Sequence, residues 1–133
     1  MFLKDRLKQQ QSEDAVIEPV RRWILSPDLT PTESDLRTMD PDIQDLYAQR
    51  ATLEVKDGVL YRQFLRATGE IDYYQVVVPR TLRTDFIDAV HCGSLNGHLG
   101  TQKTQQRLKE VAYWRGWMLD VQFHVARCHL CGR

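Results

Sequence analysis

The sequence predicts an α+β protein, with helices and a three-stranded antiparallel sheet over residues 12–80 and an all-α bundle of three helices over residues 81–133. Three observations carry this. Apolar residues recur at helical spacing until about residue 50, and then the period shortens to two around an Asp57-Gly58 pair. Helical spacing returns after Pro79. All four histidines and all three cysteines lie at or after position 91, which sets the last third of the chain apart.

Residues 1–11 are polar and read as a flexible amino-terminus, at most loosely helical. In SEDAVIEPVRRWIL, the residues Val16, Ile17, Val20, Trp23 and Ile24 form one apolar stripe. Ser12 or Asp14 can cap this helix. Pro19 is tolerated only in a first turn, which puts the start near Glu18. SPDLTP breaks the pattern. Thr32 and Asp35 have the spacing of a capping box for a short helix. Asp40-Pro41 supplies a cap and a first-position proline for the next, with Ile43, Leu46 and Tyr47 on one side. Two strands then flank Asp57-Gly58, a strong hairpin signal. Ala67 to Glu70 make a second turn, and DYYQVVVP is a third strand that Pro79 stops.

In the carboxy-terminal part, Leu82, Phe86, Ile87 and Val90 line a helix that ends at His91. CGSLNGHLG reads as a loop. Thr101 can cap a helix through QKTQQRLKEVAYW, with Thr104, Leu108 and Val111 inward. Arg115-Gly116 breaks it, and a last helix from Trp117 to Cys128 turns Met118, Val121 and Val125 inward. Trp114, Trp117 and Met118 are read as core.

Composition is that of a globular chain, at 42% hydrophobic and 27% charged. No run of eighteen apolar residues exists to span a membrane, and the first residues are too polar for a signal peptide. The expected setting is intracellular, where three cysteines read as metal ligands or free thiols. The zero net charge hides an asymmetry. Residues 1–80 carry 11 Lys/Arg against 14 Asp/Glu, and residues 81–133 carry 7 against 4. A basic end of that kind suits a polyanion.

His91, His98, Cys128 and Cys131 are spaced as His-x6-His-x29-Cys-x2-Cys. Two cysteines separated by two residues can reach one ion, and two imidazoles complete a tetrahedral shell that suits one structural Zn2+. Four protein ligands leave no open position, which argues against a stand-alone zinc enzyme. Three short helices make a thin core, so the ion would contribute to folding, on the order of 10 kcal/mol in zinc-finger peptides. Cys92, beside His91, is the alternative thiol. His124 is expected to be exposed, and His129 to point away from the ion.

From His91 onward the sequence resembles the His-His-Cys-Cys domain of integrases from gypsy-type LTR retrotransposons and retroviruses. The residues that carry the likeness are Gly97-His98, Gly100, Lys103-Thr104, Tyr113-Trp114, Met118, Asp120-Val121, Val125 and Cys128-x-x-Cys131. Upstream, DGVLYR (57–62) and VVVPRTLR (76–83) resemble the stretch before that domain, and IEPVRRWIL the extension some integrases carry. Arg115-Gly116-Trp117 departs from the Pro-Gly pair common there. The resemblance implies a helix-turn-helix-like bundle that supports multimerisation and contacts the DNA ends of the element. It also implies a catalytic domain with an Asp, Asp, Glu triad in the rest of the integrase chain. That domain is expected to lie beyond Arg133, so these residues are expected to have no catalytic role of their own. Work in the nucleus or a virus-like particle follows from the same likeness, with no membrane partner.

The outer side of the 101–112 helix offers Thr101, Gln102, Lys103, Gln106, Arg107 and Lys109 to DNA, with phosphate held at the helix start. A solvated helix shows the same face, and binding in isolation is expected to be weak and salt-sensitive. The alternative reading is a host protein domesticated from such an element, using the zinc fold for protein or chromatin contact.

Overall fold

The computed structural model describes residues 2–92 and 100–128. Among these residues seven α-helices and four strands follow in order: α1 (Phe2–Ser12), α2 (Ile17–Leu25), α3 (Glu33–Leu36), α4 (Pro41–Ala48), β1 (Leu53–Lys56), β2 (Val59–Leu65), β3 (Ile71–Val77), α5 (Arg83–Cys92), α6 (Thr101–Lys109), β4 (Ala112–Tyr113) and α7 (Trp117–Ala126). The architecture is α+β, with a helix-and-sheet region first and a helical bundle last.

Local sequence accounts for most boundaries. Asp14 accepts hydrogen bonds from the Val16 and Ile17 amides at 2.9 and 3.0 Å and so starts α2, with Pro19 in the first turn. Thr32 accepts from the Asp35 amide at 3.1 Å, and Asp40 from the Asp42 amide at 2.8 Å, as their spacing predicts. Asp57 (φ 53°) and Gly58 (φ 81°) both lie in the left-handed region, the requirement of a two-residue turn between twisted strands. Lys56 therefore faces Val59 across the hairpin.

The sheet has four strands, in the order β1-β2-β3-β4, where the sequence predicts three. The fourth is Ala112–Tyr113, paired parallel to Val76–Val77. Helical spacing suggests one helix through this segment, but α6 ends at Lys109 and Val111, expected inward, is 46% exposed. A two-residue strand has no period to read, and the carbonyl of Val111 and that of Tyr113 are claimed by the Val76 and Val78 amides instead. Met118, also expected in the core, is 53% exposed, because Val121 and Val125 already fill the inward face of α7.

The amino-terminal stretch is also more ordered than its polarity suggests. Residues 1–11 read as a flexible terminus, yet α1 buries Leu7 and Gln11. The Gln11 amide bridges β2 and β3. It donates to the Leu60 and Val77 carbonyls at 3.1 and 2.7 Å and accepts from the Leu60 amide at 2.8 Å.

Alternation along the strands divides the core between the two faces of the sheet. On one face Leu60 and Val77 pack with Ile17, Val20, Leu46 and Leu53. On the other Val59 and Val78 pack with Leu7 and with Leu82, Ile87, Leu108, Trp114 and Val121 of the carboxy-terminal half. The helical bundle thus shares a core with the sheet and α1.

Candidate metal centre

The ends of two helices build the site. α5 and α7 pack side by side, and residues one turn apart on each face the other. Asp88 on α5 meets His124 on α7, Oδ1 to Nε2 at 2.6 Å. His124, expected to be exposed, is held half-buried by this contact. One turn further on, four residues after each, stand Cys92 at the end of α5 and Cys128 just past the end of α7. Thr84, Asp88 and Cys92 on one side and Asp120, His124 and Cys128 on the other line a groove of about 520 Å³.

His91 closes the cluster. It is fully buried near the end of α5, with Ile87, one turn earlier, in the core. Its Nδ1 lies 3.3 Å from the hydroxyl of Thr104, which is itself fully buried on α6. The ligating atoms of His91, Cys92 and Cys128 all fall within 4.8 Å of one another. His98 and Cys131 lie outside the described residues.

The donor set fits a metal ion. Imidazole nitrogen and thiolate sulfur are the ligand types of structural zinc sites. A ligating histidine ordinarily engages its second nitrogen with a neighbouring polar group, which fixes the ring. Thr104 stands in that place, which makes it a positioning residue for His91. Desolvation, then the nearby Asp88 carboxylate and Cys128 thiol, push the Cys92 thiol up. A cation held between the sulfurs reverses that preference.

The structure brings together His91 and Cys128, both offered as ligands by the sequence, and places beside them Cys92, which sequence reasoning treated only as an alternative. The signal for Cys92 lay in the matching i, i+4 pairs 88/92 and 124/128, which become visible only once α5 and α7 are known to be neighbours. Thr104 was read as an inward residue, without a role at the site.

Residues 78–133 match the integrase zinc binding domain. The matched segment starts at the end of β3 and takes in α5, α6, β4 and α7. No curated protein and no solved structure matches the chain.

Of the residues offered to DNA, Gln102, Lys103, Gln106, Arg107 and Lys109 are exposed on α6, opposite the buried Thr104 and Leu108. Thr101 is half-buried and is the first helical residue, so the cap position falls to Gly100. The Lys109 ammonium lies 4.9 Å from the Phe64 ring centroid, which draws it toward the sheet.

Proposed function

We propose that this chain is the amino-terminal, zinc-stabilised module of an LTR-retrotransposon or retroviral-type integrase, supporting multimerisation and binding of element-end DNA. In this reading His91, His98, Cys128 and Cys131 hold one structural Zn2+, and residues 81–133 form the zinc-binding domain behind an extension at 12–80. The observation that carries the reading is the gathering of His91 and Cys128 at the ends of α5 and α7, inside the segment that matches the integrase zinc binding domain. The ion would clamp the end of α5 to the end of α7. Catalysis would belong to the rest of the integrase chain, and the module would act in the nucleus or a virus-like particle.

Lys103 and Arg107, one turn apart on the outer face of α6, supply phosphate contacts in this reading, with Gln102 and Gln106 beside them. Such contacts neutralise few phosphates, so affinity falls with added salt. The test measures zinc content of the purified chain and its binding to duplex element ends at low salt. One bound zinc is expected, and Lys103→Glu with Arg107→Glu should weaken DNA binding without changing the melting temperature. Metal-free folded protein, or unchanged affinity in the double variant, would overturn the corresponding half of the reading.

The alternative is a domesticated host protein that uses the zinc fold for protein or chromatin contact. Leu119 and Phe123, at 70% and 61% exposed on one side of α7, favour a protein-contact surface in either case. An Asp, Asp, Glu domain encoded after Arg133 in the parent gene would decide for the integrase.

A further inference from the structure

The apolar stripe of α2 runs further than the core that receives it. Ile17 and Val20 are buried with Leu60 and Val77 of the sheet, while Trp23 and Ile24, one turn on, are only partly covered. Leu25 and Leu29, in the same stretch, are exposed. Trp23, Ile24 and Pro27 on one side and Tyr47 of α4 on the other enclose a cavity of about 170 Å³ that reaches down to Val20. The Trp23 and Tyr47 rings meet edge to face, with centroids 6.0 Å apart and planes at 85°, so each holds the other in place. Sites for drug-sized molecules begin at about 300 Å³, so this cavity has room for a single side chain. Arg50 stands at its rim. The guanidinium carbon lies 4.1 Å from the Tyr47 ring centroid, and Nη1 donates to the Tyr47 carbonyl at 3.0 Å. Arg21 and Arg22 of α2 are both paired with Glu18, whereas no carboxylate among the described residues pairs with Arg50. The rest of its planar fork can take a carboxylate from outside.

We propose that this cavity docks a linear segment of a partner protein in which one large apolar side chain, Phe or Leu, stands beside an acidic residue. The apolar side chain fills the space between Trp23 and Tyr47, and the carboxylate bonds to the Arg50 guanidinium. Charge complementarity decides the class of partner. A basic segment would bring like charge to Arg50, and a segment without an apolar anchor would leave the cavity to water. Trp, Tyr and Arg are also the residue types that most often carry the binding energy of an interface, and here all three border one small cavity. Every residue involved lies within 20–50, outside the segment that matches the integrase zinc binding domain. The inference therefore stands or falls independently of the metal centre.

The test titrates synthetic peptides into the full, isotope-labelled chain and follows the Trp23 indole N–H signal by NMR, assigned by its loss in Trp23→Phe. The peptides share a Gly-Ser frame and carry Phe-Glu-Glu, Ala-Glu-Glu or Phe-Lys-Lys at the centre. Phe-Glu-Glu should move the Trp23 signal saturably. Phe-Lys-Lys should bind about threefold or more weaker, and Ala-Glu-Glu should leave the signal in place. Arg50 is exposed, so Arg50→Glu should keep the wild-type spectrum elsewhere and reverse the order of the two Phe peptides. A Trp23 signal that Phe-Glu-Glu leaves unmoved, an equal response to Ala-Glu-Glu, or an unchanged order in Arg50→Glu would overturn the proposal. A Trp23 signal that shifts with the concentration of the chain alone would overturn it too, by showing that a second copy fills the cavity.

Discussion

Thr104 is the residue on which the buried half of the metal centre turns. Its hydroxyl lies 3.3 Å from His91 Nδ1, and both residues are shut off from solvent. A hydroxyl there fixes the imidazole plane and the nitrogen it presents to an ion. Thr104→Val keeps the volume and removes the partner, so metal affinity should fall by about 10- to 100-fold, while Thr104→Ser should keep most of it. Competition with a chelating dye measures this, and an unchanged Thr104→Val chain would remove Thr104 from the site. Tyr113 makes a second residue-scale argument. Its hydroxyl donates to Asp45 at 2.6 Å and accepts from Gln49 at 2.9 Å. Burial, followed by the Asp45 hydrogen bond, pushes its pKa from 10 to about 12. Between those values the unfolded chain has released this proton and the folded chain still holds it. The contribution to stability is therefore complete below pH 10 and is lost as pH climbs toward 12. In Tyr113→Phe that part of the alkaline decline should disappear, and urea melts of both chains across this window would show it.

At the scale of elements, the hairpin was the most legible feature, because its turn needs two residues at positive φ and Asp57-Gly58 supplies them. Gly58 carries a further constraint. A Cβ there would stand 2.7 Å from Lys8 Cε of α1, so the turn is pressed against the first helix. Gly58→Ala should cost about 1–2 kcal/mol from the left-handed backbone alone, and thermal melts should fall accordingly. A melting temperature equal to wild type would mean that the turn relaxes to another type. The caps Asp14, Thr32 and Asp40 were legible for the same reason as the turn, since each is a local rule between residues close in sequence. What sequence did not show depended on distant partners. β4 exists only because β3 offers an edge to Ala112 and Tyr113. Met118 is exposed because Val121 and Val125 occupy the inward face. The anchoring of α1 rests on Gln11, a polar residue buried by bonds to backbone 49 and 66 residues away. The spacing put His91 and Cys128 forward as partners, whereas the approach of Cys92 was not legible, because it depends on the α5–α7 register.

The whole molecule is organised around a core that runs across the boundary between the sheet and the helices. Leu7, Val59 and Val78 pack in one cluster with Leu82, Ile87, Leu108, Trp114 and Val121. β4 adds a backbone link, since the Val78 amide donates to the Tyr113 carbonyl at 3.1 Å. An ion at the ends of α5 and α7 would bind only when those helices are in place. Because they share apolar surface with the sheet, its binding energy would stabilise the sheet as well. Zinc at about a hundred times its dissociation constant would add about 2.7 kcal/mol to the stability of everything that unfolds with the site. Removing the metal with a chelator should therefore lower one cooperative transition instead of melting the helices alone. With Trp23 and Trp117 replaced by Phe, Trp114 fluorescence reports the helical half, and exchange of the β2–β3 backbone amides reports the sheet. Both should shift together by the same amount, and Leu7→Ala should destabilise both by about 2–5 kcal/mol although Leu7 lies far from the site in sequence. A sheet that stays protected while the Trp114 signal is lost would show that the two halves unfold separately, with the ion acting on one of them.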